Sequence, residues 1–264
     1  MLALGAPAAA AADEMPLRTS FRDACRTFFS DGAYLFTFPA RTTPKGAWLT
    51  AGFATGTVWL VQYDDAIRAH VIEAPDNGAA DRVATVFEPL GRSYVEAAAL
   101  GIAWAAARGA GRPGAASAAA TAFEAWLWTF VITSGAKAAF GRDAPTGDAD
   151  ARDFFSGGDI FPSGHASRSF AIAAVLAGRY GRTAAWIGYP IAALVGLATL
   201  QQDTHWASDI LAGAGLGLAI GTGIAHRHPG PAVEAPAATP SGPAGRVAWR
   251  LAPVPGGAAV RVAF

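Results

Sequence analysis

The sequence predicts an all-α fold. Of its 264 residues, 52% are hydrophobic and 15% are charged, and a chain of this length can bury a sizeable core as one domain. The apolar runs are rich in Ala, Gly and Leu and contain few uninterrupted β-branched stretches, which favours helix over strand. Breaks rich in Gly, Pro and Arg separate them, as at 108–113 and 178–182. The runs predict six helices, at Ala47–Val61, Ala97–Ala107, Ala115–Ala136, Phe170–Gly178, Thr183–Leu200 and Ile210–Ala225.

The two ends of the chain differ from this helical body, which we place at residues 13–228. Residues 1–12 are apolar and Ala-rich, as a secretory signal is before its cleavage site, but they have no basic start. We interpret them as a truncated signal, with a flexible Ala-rich tail as the alternative. Residues 229–246 are rich in Pro and Ala and are predicted to be a linker. Residues 247–264 alternate in polarity around a Pro-Gly-Gly turn, which predicts a short C-terminal β-hairpin.

Charge and cysteine content limit the partners. Twenty basic and twenty acidic residues cancel, and no Lys/Arg cluster stands out, so we expect no nucleic-acid partner. The single cysteine, Cys25, excludes an internal disulfide framework and a thiolate metal cluster. The aromatic stretch Phe21–Pro39 is predicted to form a short helix followed by an extended piece.

The length of the apolar runs bears on localisation in the cell envelope. A bilayer span needs about 20 apolar residues, two of the runs are shorter, and Glu124 lies near the middle of the third, a costly position in lipid. A periplasmic or secreted bundle is therefore expected, with possible membrane contact. An integral membrane protein is the alternative, because the arginine-containing turns at 108–112 and 179–182 would lie on one side of six spans, as the positive-inside rule requires.

Two histidines and a carboxylate lie near two predicted helix starts. Ser163 in Pro-Ser-Gly-His is a natural N-cap, so the amides of Gly164 and His165 would point outward as an anion site. His205 and Asp209 are four residues apart, which on a helix places them on one face. The carboxylate could then hold the imidazole in one tautomer and make it a nucleophile.

These residues resemble the signature of the type 2 phosphatidic acid phosphatase and vanadium haloperoxidase superfamily, which reads K-x6-R-P, P-S-G-H and S-R-x5-H-x3-D. The matching segments are Lys137–Pro145, Pro162–His165 and His205–Asp209, and the resemblance covers residues 90–225 approximately. It implies a six-helix bundle of that family's type. It also implies a phosphatase that hydrolyses a phosphate monoester, a lipid phosphate or a pyrophosphate without a metal or another cofactor.

The resemblance also implies a role for each matching residue. His205 would attack phosphorus to form a phosphohistidine, Asp209 would orient it, and His165 would protonate the leaving oxygen. The non-bridging oxygens would be bound by Lys137, Ser163 and the Gly164 amide.

The sequence departs from the signature at two phosphate-binding arginines, where it has Ala144 and Thr199. Turnover could be weakened if nothing replaces them, and Arg142 or Arg168 could supply the missing charge. The alternatives are a phosphate-binding pseudoenzyme of the same fold, a haloperoxidase that binds vanadate in this pocket, and a structural membrane protein with a vestigial motif. The oligomeric state and the substrate stay open.

Overall fold

The computed structural model describes residues 21–41, 43–72, 78–146, 149–230, 248–254 and 257–263. Within them it contains nine α-helices, one 3₁₀ turn and two strands, and the chain divides into two units, residues 1–231 and 232–264. The helices are α1 (Phe21–Arg41), α2 (Pro44–Val61), α3 (Asp64–Ile72), α4 (Gly78–Phe87), α5 (Ser93–Gly109), α6 (Pro113–Phe140), α7 (Gly164–Tyr180), α8 (Arg182–Gln201) and α9 (Ala207–Arg227), and the 3₁₀ turn is Glu88–Gly91.

The helical fold predicted from the apolar runs is confirmed, and all six predicted helices are present as α2 and α5 to α9. The prediction for Phe21–Pro39 was wrong, because this segment lies within one helix, α1. Phe28 and Leu35 are two helical turns apart on α1, and both pack against the core. Helices α3 and α4 were not predicted, since they have nine and ten residues and no long apolar run.

The ends of the long helices follow local chemistry. The Ser163 hydroxyl caps α7 by accepting a hydrogen bond from the Ala166 amide at 3.4 Å. Helix α6 begins with Pro113 and ends at Gly141, whose φ of 52° is left-handed. Its 28 residues give it a length of about 42 Å at 1.5 Å per residue.

Helix α7 lies at the centre of the helical unit and packs against α6, α8 and α9. Its contact with α9 is close, because glycines recur every four residues along α9. A Cβ atom on Gly217 would lie 2.1 Å from the Ser167 carbonyl oxygen, and one on Gly221 would lie 2.4 Å from that of Ala171. The backbones of the two helices therefore touch. At the start of this contact the Ser163 amide donates to the Asp209 carbonyl at 3.0 Å, which brings the beginnings of α7 and α9 together.

The main hydrophobic core lies between α1, α5, α6, α7 and α9. Aromatic rings fill its α1–α6 side, where Phe28 stacks on Trp128 with ring centroids 4.6 Å apart. Its buried members are Leu35, Leu100, Ala122, Ala125, Trp126, Trp128, Val175, Ile220 and Ile224.

In the C-terminal unit, strand β1 (Ala248–Val254) pairs antiparallel with strand β2 (Gly257–Ala263), with Leu251 opposite Val260. The predicted signal at residues 1–12 lies outside the described residues, and so does all but the beginning of the predicted linker at 229–246.

We expect Gly217→Ala to destabilise the protein by about 1–3 kcal/mol, because the new methyl group would collide with the backbone of α7. Thermal unfolding of the purified protein measures the loss. Gly101→Ala is the matched control. A Cβ at Gly101, within α5, meets nothing within 4 Å, so this substitution should stabilise the helix by about 0.5–1 kcal/mol. Equal melting temperatures for the two variants would contradict the close contact between α7 and α9.

Candidate active site

His205 and Asp209 form a buried pair at the beginning of α9. The His205 Nδ1 atom lies 3.4 Å from Asp209 Oδ2, and the Trp206 amide donates to the same oxygen at 2.9 Å. The geometry differs in one respect from the sequence prediction, since His205 lies two residues ahead of the helix and not on its face. Asp209 therefore caps the helix and holds the imidazole at the same time, which leaves Nε2 as the nitrogen turned away from the carboxylate.

Arg142 lies behind Asp209. It follows the left-handed Gly141 that ends α6, and its guanidinium is fully buried. It donates to Asp209, to Asp64 Oδ2 at 2.7 Å and to Ser208 Oγ at 2.7 Å. The sequence suggests Arg142 as a phosphate ligand, but in the structure these contacts engage it with the carboxylate that holds His205.

Asp64 was not found by sequence reasoning. Its carboxylate accepts from the Ser208 amide at 2.9 Å and pairs with Arg142, so one arginine lies between two buried acids. Rings flank the guanidinium, with its Cζ 4.7 Å from the centroid of Phe154 and 5.3 Å from that of Trp206. Asp64 belongs to the first turn of α3, and no motif spacing connects it to the histidines.

His165 lies opposite His205 in the first turn of α7. The centroids of the two imidazole rings are 6.3 Å apart, with an interplanar angle of 67°. Ser163 and Gly164 directly precede His165 and are both buried. The structure thus brings both predicted histidines to one place, next to the first amides of α7.

Lys137 lies in the last turn of α6. Its ammonium donates to the carbonyl oxygen of Asp159, in the loop that leads into Ser163. The structure therefore brings Lys137 to the loop that leads into the predicted anion site.

Arg168 is the arginine beside the predicted anion site. Its Nε donates to Glu96 at 2.8 Å and its Nη2 to the Gly91 carbonyl at 2.8 Å. Its Nη1 lies next to Gly164, where a Cβ atom would be 2.7 Å away. Thr199 is not a comparable donor, because its hydroxyl donates to the Gly196 carbonyl within α8.

A second carboxylate, Glu88, lies beside His165. Its Oε1 is 3.3 Å from His165 Nε2, although the angle between them does not satisfy a hydrogen bond. Burial is the largest cause that lowers the pKa of His165, to about 4, and the positive charges of Arg168 and His205 lower it further. The imidazole is therefore neutral near pH 7 in the unliganded site. Glu88 was also missed from the sequence, where it precedes an ordinary Pro-Leu-Gly turn.

One group of side chains in the described part of the chain could hold a metal ion, away from the histidine pair. It consists of Asp31, Glu124 and His228, whose ligand atoms lie within 4.8 Å of one another. His228 Nε2 is 2.6 Å from Asp31, and Arg227 also pairs with this aspartate. These ion pairs explain the grouping without a metal. His228 is thus half-buried and paired.

Comparison with known proteins supports the family predicted from the motifs. Residues 115–230 match the PAP2 superfamily, which confirms the resemblance over the segment that carries all three motifs. The chain is also 33% identical over 93 residues to a lipid A 1-phosphatase of Porphyromonas gingivalis. That match covers 34% of this chain and 19% of the relative, so the matched part is about a fifth of the relative's length. No solved structure matches the chain significantly.

We expect Arg142→Met to lower the free energy of unfolding by about 3–5 kcal/mol, because Asp64 and Asp209 would both remain buried without their counter-ion. The measurement is thermal or denaturant unfolding. Arg152→Met is the control, since the side chains of Arg152 and its partner Asp150 are 53% and 62% exposed, and such a pair contributes little. If both variants unfolded like the wild type, the buried network would not have the role given to it here.

Proposed function

Because residues 115–230 match the PAP2 superfamily, we propose that this chain hydrolyses a phosphorylated lipid, a phosphate monoester or a pyrophosphate, through a phosphohistidine on His205. The observation that carries the proposal is the position of His205. It is held by Asp209 at 3.4 Å and faces His165 at a ring separation of 6.3 Å. A nucleophile with an orienting carboxylate and a proton donor on the other side is what phosphoryl transfer through a covalent intermediate requires.

The reaction would proceed in two displacements. The negative charge of the bound phosphate would favour protonation of His165, which is neutral in the unliganded site. In the first displacement, the Nε2 lone pair of His205 attacks phosphorus, the bond to the leaving oxygen breaks, and protonated His165 gives that oxygen its proton. In the second, His165 takes a proton from water as the water oxygen attacks phosphorus, and the bond to His205 breaks. Asp209 stays ionised throughout and stabilises the positive charge on the His205 ring.

The anion site would hold the non-bridging oxygens. Its donors are the hydroxyl of Ser163, the amides at the start of α7, and the cations of Lys137 and Arg168. These two cations supply the charge that a metal ion provides in other phosphatases, so metal independence is part of the proposal.

A lipid substrate is favoured by the surface of the helical unit. Helices α6, α8 and α9 are long and apolar enough to cross a membrane. Trp48, Trp186 and Ile102 are 79%, 73% and 69% exposed, which suits contact with a bilayer. The charge of Glu124 argued against α6 as a membrane span. In the structure, however, its Oε2 atom lies 3.7 Å from His228 Nε2, so the carboxylate has a partner. We therefore propose an integral membrane protein of the cell envelope, the second of the two localisations considered, acting on a lipid phosphate.

The second candidate is a phosphate-binding pseudoenzyme, and the observation in its favour is the residue pair Ala144 and Thr199. Ala144 packs against the small apolar cluster around Trp206, and the Thr199 hydroxyl is bound within its own helix. If Arg168 does not compensate for the two missing arginines, the site would bind a phosphate ester without hydrolysing it.

We expect a ³²P-labelled lipid phosphate to label this protein covalently in membranes washed with alkali, and the label to be lost in acid and kept in base, as a phosphohistidine is. His205→Ala should abolish labelling because it removes the attacking nitrogen. His226→Ala, at the exposed end of the same helix, should not change it. Phosphate binding without label would favour the pseudoenzyme, and loss of the protein from the washed membranes would exclude the membrane-embedded form.

We expect Arg168→Lys to lower kcat/KM for the lipid phosphate by about one to two powers of ten, because lysine cannot keep both anchoring bonds and still present a donor beside Gly164. Arg179→Lys is the control, since Arg179 is at the far end of α7 and bonds to Ser117 and Thr121. An unchanged kcat/KM in Arg168→Lys would mean that another group binds the phosphate.

A further inference from the structure

The site contains a carboxylate that the proposed reaction does not use. We propose that Glu88 is a positioning residue that fixes His165 so that Nδ1, and not Nε2, transfers the proton. This inference rests on the proposed function, because it assigns the atom through which the general acid acts. The geometry behind it is the 3.3 Å separation between Glu88 Oε1 and His165 Nε2. That nitrogen is buried and has no hydrogen-bond partner among the described residues, and Glu88 is the carboxylate beside it.

Glu88 is itself held in place. Arg92 donates its Nε to Oε1 at 3.0 Å and its Nη2 to Oε2 at 2.8 Å, and the Glu88 side chain is 11% exposed. This pair lowers the pKa of Glu88, so the carboxylate is ionised at neutral pH. An ionised carboxylate has no proton to give, and it can only accept one from the nitrogen beside it.

The turn that carries Glu88 also restricts the imidazole. A Cβ atom on Gly91 would lie 2.7 Å from His165 Cδ2 and 2.4 Å from Val195 Cγ1, so the backbone of the turn packs directly against the ring. The Gly91 carbonyl accepts from Arg168 as well. One short turn therefore supports both the general acid and the cation of the anion site.

The consequence concerns the two nitrogens of His165. In the proposed arrangement Nε2 carries a proton that it gives to a hydrogen bond with Glu88, so the proton that moves in the reaction is on Nδ1. It leaves Nδ1 as the phosphorus–oxygen bond breaks, and a proton from water returns to Nδ1 in the second displacement. His205 has the opposite arrangement, since its Nδ1 faces Asp209 and its Nε2 is the nucleophile. The two histidines thus act on the phosphate through different ring nitrogens.

Glu88 also opposes the other charges at His165. Arg168 and His205 both disfavour the imidazolium, and Glu88 is the group that favours it. Without the Glu88 charge, protonated His165 would be less stable, and the general acid would be lost at a lower pH.

The test compares two esters in wild type and Glu88→Gln. A good leaving group such as 4-nitrophenolate needs no proton, whereas an alkoxide does. We expect Glu88→Gln to lower kcat/KM, which reports the first displacement, by about a hundredfold for dodecyl phosphate and to leave kcat/KM for 4-nitrophenyl phosphate nearly unchanged. The alkaline limb of kcat/KM for dodecyl phosphate should move to lower pH by about one unit. Glu88→Asp, which keeps the charge, should restore part of the rate.

Asp81→Asn is the matched control, because it removes one negative charge from the exposed face of the preceding helix, where Asp81 accepts from Gln201. It should hydrolyse both esters like the wild type. Equal losses on the two esters in Glu88→Gln, or no loss on either, would overturn the positioning role and leave the phosphohistidine mechanism standing.

A second measurement does not depend on turnover. In ¹⁵N-histidine spectra, with His165 assigned by comparison with His165→Asn, we expect neutral His165 to carry its proton on Nε2 in the wild type and to become a mixture of tautomers in Glu88→Gln. A wild type that hydrolyses neither ester would defeat the proposed function. In that case the proton on Nε2 would still support the contact with Glu88, and a proton on Nδ1 would refute it.

Discussion

The site depends on the close contact between α7 and α9. One histidine lies in the first turn of α7 and the other just ahead of α9, and the proposed catalytic pair needs the beginnings of these helices to be fixed relative to each other. Backbone atoms do this, since Gly217 and Gly221 let α9 touch the carbonyls of Ser167 and Ala171. The hydrogen bond from the Ser163 amide to the Asp209 carbonyl completes the contact at the level of the site. The 6.3 Å separation of the imidazole rings follows from this backbone geometry.

Around the histidines, four buried acids are paired with arginines. Asp209 and Asp64 share Arg142, Glu96 pairs with Arg168, and Glu88 pairs with Arg92. Buried ion pairs add little to stability when compared with apolar packing, but they fix orientation, because each partner has few alternative positions. The arginines that the family signature places at Ala144 and Thr199 are absent, and the described arginines near the site are instead anchored by carboxylates. The arginine side chains near the predicted anion site are therefore less mobile, and their positive charge is more fully neutralised by carboxylates, than the signature implies.

Sequence reasoning identified the parts of this arrangement that are local. The apolar runs gave the six long helices, because each run is long enough to show its own pattern. The four-residue spacing identified His205 and Asp209 as a pair, although it could not show that Trp206 separates His205 from the helix. Contacts between distant segments could not be read in this way. Nothing in one sequence connects Asp64 or Glu88 to the histidines. Arg142 lies two residues before Ala144, which suggests that it could replace the missing phosphate arginine, but the left-handed turn at Gly141 directs it elsewhere.

The length of α6 bears on where the proposed lipid phosphatase would act. At about 42 Å, this helix exceeds the hydrocarbon thickness of a bilayer, which is about 30 Å, by roughly two turns. Lys137 lies in its last turn, so in a membrane the excess length would place the lysine at the depth of the lipid head groups. A substrate could then diffuse sideways within its own leaflet and present its phosphate to the histidines without withdrawing its acyl chains from the hydrocarbon.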